Sequence, residues 1–242
     1  MFSYLYHLLV FDPLYNGLIF LFDVLPWVDA GVAVIIFTVI VRLILFPLSK
    51  KAIVTQVRMK EIEPELSELK KTVTDKQQQA IKVMELYKKR GVNPFSSFFL
   101  LFLQLPIIYA LYSIFIKSGL PLVNKDILYV FVIEPTINMN FLGLVNVAEK
   151  SVLFALLAAV AQYLQLHFSL AGRAPIAKSD NPSMDMAQNM TKNMKYVFPV
   201  IVFLIAYKIS AVVAIYWTVS SLFTLGQELV VRRHLKRHEP IV

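Results

Sequence analysis

The 242-residue sequence contains no cysteine and only seven glycines. The lack of cysteine excludes structural disulfides, cysteine metal sites, a thiol nucleophile and a lipidated N-terminal cysteine. The sequence also shows no glycine-rich nucleotide-binding loop, no metal-ligand cluster and no nucleophile–base set. It therefore predicts a protein that is not an enzyme and that needs no metal or cofactor.

Hydrophobic residues make up 57% of the chain, and the mean hydropathy is +0.63. A soluble domain is about 45–50% apolar, and several runs here approach the roughly 20 residues that cross a bilayer. The formal net charge of +8 would suggest nucleic acid as the partner of a soluble protein. Because the basic residues lie mostly in loops, we interpret them by the positive-inside rule. No nucleic-acid site is expected beyond a contact of the basic tail with the ribosome.

The predicted fold is an all-α polytopic membrane protein with five transmembrane helices, an interfacial N-terminal helix and a cytoplasmic helical hairpin. An alternative for the N-terminal segment is a ragged extension of the first span. This segment lacks the basic region and cleavage site of a secretory signal, so we expect it to remain on the mature protein. The predicted segments are the interfacial segment 1–29, first span 30–49, hairpin 50–93, second span 94–116, extracytoplasmic loop 117–150, third span 151–170, cytoplasmic loop 171–195, fourth span 196–209, fifth span 210–231 and basic tail 232–242.

Lysine and arginine counts predict the orientation. Segments 50–93, 171–195 and 227–242 hold eleven, four and four of the 24 basic residues, or nineteen together. An N-terminus outside and a C-terminus in the cytoplasm place all nineteen on the cytoplasmic side. Within the hairpin, we expect a seam of Ile62, Leu66 and Leu69 against Ile81, Met84 and Leu86.

Arg42 lies in the middle of the first apolar run. A central arginine costs about 2.5–3.5 kcal/mol on insertion scales, so it usually faces water or a partner. Snorkelling is the alternative, because Lys50 is only about 12 Å further along the helix at 1.5 Å per residue.

Polar side chains on other spans favour a shared groove over snorkelling alone. Counted along each helix, they lie about 12–18 Å from the cytoplasmic ends, which is close to the depth of Arg42. No acidic residue lies at this level, so the charge of Arg42 is available to an anionic or polar guest. The predicted groove residues are Thr38, Arg42, Gln104, Gln162, Gln165, Ser220, Ser221 and Thr224.

Several motifs resemble the YidC family of membrane protein insertases, which are relatives of the Oxa and Alb insertases of organelles. They are FPLSKK (46–51) after the arginine-bearing span, ELYKKRGVNP (85–94) leading into LQLPIIYALY (103–112), DPLYNGLIF (12–20) and IYW (215–217). The resemblance covers nearly the whole chain, in order, and is of the short bacterial type without a large extracytoplasmic domain.

The resemblance implies a five-helix core that moves client transmembrane segments from the cytoplasm into the bilayer of the bacterial inner membrane. Arg42 matches the family's groove arginine, Gln104 and Pro106 match positions in the second span, and Trp217 matches an aromatic residue that faces the guest. The implied partners are nascent membrane protein clients and membrane lipids, with the Sec translocon, the ribosome and the signal recognition receptor as further candidates. The hairpin would meet clients or targeting partners first, through Lys50, Lys51, Arg58, Lys88, Lys89 and Arg90.

The sequence departs from the family pattern at four places. Phe95-Ser96-Ser97-Phe98 replaces a cluster of small residues and proline, and Lys208-Ile209-Ser210-Ala211 replaces a Pro-Ala-Gly type of turn. Ser221 stands where asparagine is common, and Gln227-Glu228 stands for a glutamine pair.

Two other functions stay open from the residues alone. A small transporter or anion channel would use Arg42 as its substrate site, although five spans give no inverted repeat. A membrane scaffold would use the charged hairpin to dock partners.

Overall fold

A computed structural model describes residues 2–73, 75–93, 96–117, 119–170 and 182–238. These residues are almost entirely helical, with one very short antiparallel hairpin. The helices are α1 (Phe2–Tyr6), α2 (Asp12–Val24), α3 (Ala30–Ile44), α4 (Phe46–Glu61), α5 (Glu63–Thr72), α6 (Lys76–Lys89), α7 (Ser96–Tyr112), α8 (Val152–Leu170), α9 (Pro182–Ile209) and α10 (Ala211–His238). Strands β1 (Asn140–Phe141) and β2 (Val145–Asn146) form the hairpin, π-helical turns cover His7–Phe11 and Ser113–Lys117, and a 3-10 turn covers Lys125–Ile127.

The chain divides into two compact units. The first unit comprises Met1–Leu45, Phe102–Gln162 and Pro199–Phe223, and the second comprises Phe46–Leu101, Tyr163–Phe198 and Thr224–Val242. The first unit contains α1, α2 and α3 with parts of α7, α8, α9 and α10. The second contains α4, α5 and α6 with the remaining parts of those four helices.

Large apolar side chains are exposed along one face of α8, as expected for a helix in lipid. Leu153, Leu156, Val160 and Leu164 are all exposed, whereas the buried face carries the small residues Ala155, Ala158 and Ala161. Small residues at the packed face let membrane helices approach closely. The predicted class, an all-α membrane protein, is therefore confirmed.

Within the described part of the chain, two helical stretches are each long and apolar enough to cross a membrane, namely Tyr4–Val24 and Val152–Ser169. Ala30–Ile44 together with Phe46–Glu61 makes a third if the broken pair counts as one span, and Gln104–Lys117 is a shorter apolar helix. The five spans of the sequence analysis stay a prediction.

Helix α2 fixes the long loop that follows α7. The Asn16 amide donates to the Ile127 carbonyl at 2.8 Å and accepts from the Tyr129 amide at 2.6 Å. The Tyr15 hydroxyl accepts from the Asn124 amide at 2.8 Å. Asn16 is buried on an otherwise apolar helix face, and its side chain satisfies backbone groups that would otherwise lose their hydrogen bonds.

Asp29 joins the start of α3 to the small hairpin. Its side chain caps the helix by accepting from the Val32 amide at 2.9 Å, and it also accepts from the Leu142 amide at 3.0 Å. Extended Asp29 satisfies one orphan donor of the first turn, which is the usual role of an aspartate N-cap. Gly31 packs directly against the Phe141 ring.

The break between α9 and α10 falls at Ser210, within the Lys208-Ile209-Ser210-Ala211 turn. The loop before α8 holds the first turn of α10 in place. The Ala211 amide donates to the Glu149 carbonyl at 2.7 Å, and the Val212 amide donates to the Val147 carbonyl at 2.9 Å. These bonds satisfy amides at the N-terminus of α10 that have no partner inside the helix.

In the second unit, α5 and α6 form the polar hairpin, with Asp75 capping α6 by accepting from the Gln77 amide at 2.8 Å. Ile62 and Leu66 are buried, as the predicted seam requires. Glu63 is also buried and lies close to Tyr87. The pKa of the Tyr87 hydroxyl is raised, first because the hydroxyl is buried and second because the Glu63 carboxylate is negatively charged.

The predicted contribution of Ile81 and Met84 to the seam is wrong. These side chains are 59% and 57% exposed, and they line an open apolar groove of about 630 Å³ on α6. Helical spacing placed them on one face, but the face that turns inward carries Gln79, whose amide donates to the Val73 carbonyl at 3.0 Å.

The contact between Gly31 and Phe141 gives a test of the packing. A Cβ at Gly31 would overlap the Phe141 ring, whereas a Cβ at Gly226 of α10 would meet nothing within 4 Å. Gly31→Ala should therefore destabilise the purified protein by about 1–3 kcal/mol, the usual range for overpacking. Thermal unfolding in detergent measures this, and an equal effect of Gly226→Ala would contradict the assignment.

Candidate functional site

Arg42 lies in the last turn of α3 and is 8% exposed. The apolar sequence around it forms a helix that places the guanidinium among the spans of the first unit. Thr38, one turn earlier, is buried, but its hydroxyl donates to the Val34 carbonyl of its own helix at 2.6 Å. Thr38 therefore shares the face of Arg42 without providing it with a described hydrogen bond.

Neutral polar side chains from two other helices solvate the guanidinium. Arg42 Nη2 donates to Gln104 Oε1 on α7 and to Ser220 Oγ on α10. Gln104 Nε2 in turn lies 3.2 Å from Ser220 Oγ, which closes a three-residue cluster. The sequence predicted all three residues at one depth, and the structure brings them into contact.

The hydrogen-bonding capacity of this cluster is only partly used. Arg42 Nε is buried and has no hydrogen-bond partner among the described residues. The Tyr216 hydroxyl is buried close to the guanidinium, and it too has no partner of good geometry in the described part of the chain. Buried donors without partners are unusual in proteins, so these two groups can still donate hydrogen bonds to a bound acceptor.

A second cluster joins α8 to α10. Trp217 Nε1 donates to Gln162 Oε1 at 2.8 Å, and Ser221 Oγ donates to the same oxygen at 3.2 Å. All three side chains are buried. Helix α10 thus contributes to both clusters, because residues 217, 220 and 221 lie within about one turn of each other.

Trp217 also lines a cavity of about 1160 Å³ within the first unit. Residues of α7, α9 and the loop before α8 form the rest of its wall. The lining residues are Leu105, Ile108, Tyr109, Tyr112, Ile116, Ala148, Glu149, Lys150, Ile205, Lys208, Ile209 and Trp217. Helices α7 and α10 therefore contribute to both features, with Leu105 and Trp217 in the cavity wall and Gln104 and Ser220 in the Arg42 cluster.

Three further residues expected in the groove have other positions in the fold. Pro106 interrupts α7, and its carbonyl accepts from the Tyr6 hydroxyl at 3.4 Å. Gln165 and Thr224 belong to the second unit, where Thr224 is buried and Gln165 is half-buried. Matched depth along a helix predicted Gln165 and Thr224, and the resemblance implied Pro106, but depth alone does not give the direction in which a side chain points.

The predicted contact residues of the hairpin all lie in the second unit and are exposed. They are Lys50, Lys51, Arg58, Lys88, Lys89 and Arg90. Arg90 pairs with Glu65 across the hairpin, so its charge is partly committed to the fold. In the cluster Phe95-Ser96-Ser97-Phe98, Phe95 lies outside the described residues. The other three residues are described only as the backbone at the start of α7.

The sequence reasoning missed two polar contacts of the second unit. Gln227 Nε2 donates to Ser49 Oγ at 2.8 Å and to the Phe46 carbonyl at 3.2 Å, which joins the start of α4 to α10. The Ser169 carbonyl at the end of α8 accepts from Lys60 Nζ and, at 2.9 Å, from Arg232 Nη2. Gln227 in an apolar stretch was a visible signal, whereas nothing in the sequence points to the Ser169 carbonyl.

Comparisons with known proteins agree with this architecture. The family model described as 60Kd inner membrane protein matches residues 21–238. The chain is 31% identical over 214 residues to the Membrane protein insertase YidC of Clostridium tetani, which is 88% of this chain and 86% of that protein.

Two further relatives show similar coverage. The Membrane protein insertase YidC of Fusobacterium nucleatum is 29% identical over 84% of this chain and 86% of its own length. Membrane protein insertase YidC 1 of Streptococcus pyogenes is 32% identical over 85% of this chain and 68% of its own length. The chain belongs to the YidC/Oxa family of membrane proteins, as its motifs predicted.

The cluster around Arg42 predicts a measurable coupling between its members. Gln104→Leu removes an acceptor from a buried cation, and hydrogen bonds to charged groups contribute about 1.5–3 kcal/mol. The variant should unfold at a lower temperature in detergent. Gln78→Leu, at an exposed position of α6, is the matched control. Combining Gln104→Leu with Ser220→Ala should give less than the sum of the single effects, and strict additivity would contradict a shared cluster.

Proposed function

We propose that this protein is a membrane protein insertase that moves client transmembrane segments from the cytoplasm into the bilayer. The observation that carries the proposal is the buried Arg42, which is solvated by Gln104 and Ser220 and forms no ion pair with a described acidic residue. The similar proteins from Clostridium tetani, Fusobacterium nucleatum and Streptococcus pyogenes are named membrane protein insertases, which supports the same function. Insertion of this kind needs no covalent chemistry, so we propose no catalytic residue.

The barrier to insertion is the passage of a polar client tail through hydrocarbon. Each polar group without a hydrogen-bond partner costs several kcal/mol there. The Arg42 and Gln162 clusters supply hydrogen-bond donors and acceptors within the apolar spans. The polar client tail therefore crosses a shorter distance of hydrocarbon without hydrogen-bond partners. In this proposal Thr38 and Pro106 line the same groove as the Arg42 cluster, and Trp217 contacts the apolar part of the client.

The charge of Arg42 gives the groove a preference. Because no carboxylate of a described residue pairs with it, the guanidinium attracts acidic client segments more strongly than neutral ones, and a low local dielectric strengthens this attraction. The apolar client helix then leaves sideways into lipid because of its own hydrophobicity. The exposed apolar faces of the first unit are compatible with such an exit.

The topology follows the positive-inside rule in this proposal, with the N-terminus outside and the hairpin and C-terminus in the cytoplasm. The hairpin cations Lys50, Lys51, Arg58, Lys88 and Lys89 are all exposed. We propose nascent clients as the first partners, with the Sec translocon, the ribosome and the signal recognition receptor as secondary ones.

The Arg42 side chain provides the direct test. In proteoliposomes, Arg42→Ala should reduce insertion of a single-span client with an acidic translocated tail about tenfold or more, and should affect a neutral-tailed client much less. Arg42→Lys should be milder, because it keeps the charge but loses the planar fork. Protease protection of the client tail measures the inserted fraction.

The same vesicles distinguish the competing functions. Equal insertion of both clients by Arg42→Ala would contradict the charge-attraction step. Anion flux that depends on Arg42, without any client insertion by the wild-type protein, would instead identify a transporter or channel.

A further inference from the structure

The cavity beside Trp217 has a basic end. Lys150, directly before α8, and Lys208, in the last turn of α9, both line it. Both lysines are exposed, and neither forms an ion pair with a described residue. Lys208 belongs to the Lys208-Ile209-Ser210-Ala211 turn, where the sequence departs from the family pattern. The groove centred on Arg42 does not account for these two cations.

The remaining charges at this end do not neutralise the lysines. Glu149 is the single acid among the lining residues, and its Oε1 accepts from Asn146 Nδ2 at 3.3 Å. A third cation lies nearby, since Lys117 Nζ donates to the Tyr109 hydroxyl at 3.1 Å and lies 5.0 Å from the centroid of that ring. Tyr109 itself lines the cavity.

The backbone that carries the lysines is fixed. The Glu149 carbonyl accepts from Ala211, and the Val147 carbonyl accepts from Val212, so the segment before Lys150 is bound to the residues just after Lys208. These main-chain hydrogen bonds hold the backbone at Lys150 close to the backbone that follows Lys208. Two lysines that line one cavity attract the same anion, and apolar walls beside them strengthen that attraction by lowering the local dielectric.

The walls of the cavity are mainly apolar. Leu105, Ile108, Ile205 and Ile209 line it together with Trp217. The cavity therefore suits a ligand with an apolar body and an anionic end. The cavity and the Arg42 site are built on the same two helices, because α7 carries both Leu105 and Gln104 and α10 carries both Trp217 and Ser220.

We propose that Lys150 and Lys208 form a second anion subsite, which receives the acidic residues flanking the apolar segment of a client after they leave Arg42. This inference rests on the proposed insertase function, and it names the clients that this chain favours, namely those with Asp or Glu at the translocated end of the span. Arg42 attracts the acidic tail at the first site, and the lysines hold it at the second, which opposes its return through the apolar spans.

The test compares two client proteins in proteoliposomes of neutral lipid. One client carries three aspartates at the translocated end of its apolar segment, and the other carries three asparagines. The Lys150→Gln/Lys208→Gln double variant should insert the aspartate client about three- to tenfold less than the wild type does, and the asparagine client equally well. Lys125→Gln is the matched control, because Lys125 pairs with Glu134 in the same loop and does not line the cavity.

Charge reversal adds an independent readout. Lys150→Glu/Lys208→Glu should retain the aspartate client less well than the glutamine variant, and should improve insertion of a client with three lysines at the same position. A cross-link from a photoreactive residue at Ile209 to the client's flanking residues should be lost in the glutamine variant. Equal losses for the aspartate and asparagine clients would overturn the proposal.

Two other outcomes also decide the question. A lysine effect that appears only with anionic phospholipid, whatever the client charge, would assign the site to a lipid headgroup and overturn the proposal. A wild-type protein that inserts neither client would refute the insertase function itself, whereas normal wild-type insertion with no effect in the lysine variants would refute only the second subsite.

Discussion

The rest of the structure depends on how a permanent cation is accommodated inside an apolar helix. Arg42 is buried, and among the described residues its guanidinium donates hydrogen bonds to the neutral side chains of Gln104 and Ser220 rather than to a carboxylate. A neutral shell satisfies part of the hydrogen-bonding capacity of the guanidinium but leaves its charge uncompensated. An acidic partner would stabilise the resting protein more, and it would also remove the attraction that a passing anionic segment could use. The unpartnered Nε is consistent with a site that is complete only when a guest or water is present.

Helix α10 organises this arrangement. Within about one turn it provides Ser220 for the Arg42 cluster, Ser221 and Trp217 for the Gln162 cluster, and the Trp217 ring for the adjoining cavity. Its first turn is held by the loop before α8. Earlier parts of the same loop are bound to Asp29, which accepts from the Leu142 amide, and to Asn16 of α2, which accepts from the Tyr129 amide. Hydrogen bonds to the backbone outside the polar site therefore help to hold α10 in position.

Much of the site could be predicted from the sequence because a helix converts residue count into depth. Arg42, Gln104, Gln162 and Ser220 share a level by simple counting, and the structure brings Arg42, Gln104 and Ser220 into contact. Counting could not show that Thr38 bonds to its own helix or that Gln165 and Thr224 belong to another unit, since these outcomes depend on side-chain direction and packing.

The hairpin shows the same limit of prediction from helical spacing. Helical spacing grouped Ile81 and Met84 with the buried face, whereas α6 turns Gln79 inward. The role of Asn16 could not be predicted, because the backbone groups it satisfies lie more than a hundred residues away in the sequence.

The central claim is that the Arg42 cluster is wetted from the cytoplasmic side while it lies among membrane spans. The chain contains no cysteine, so single cysteines can be introduced without a background. Ser220→Cys places a thiol in the cluster, and Leu153→Cys places one on the exposed apolar face of α8. A membrane-impermeant, water-soluble maleimide applied from the cytoplasmic side of membrane vesicles should label the first and spare the second. If the thiol at position 220 reacts no faster than the one at position 153, the cluster is dry and the account is contradicted.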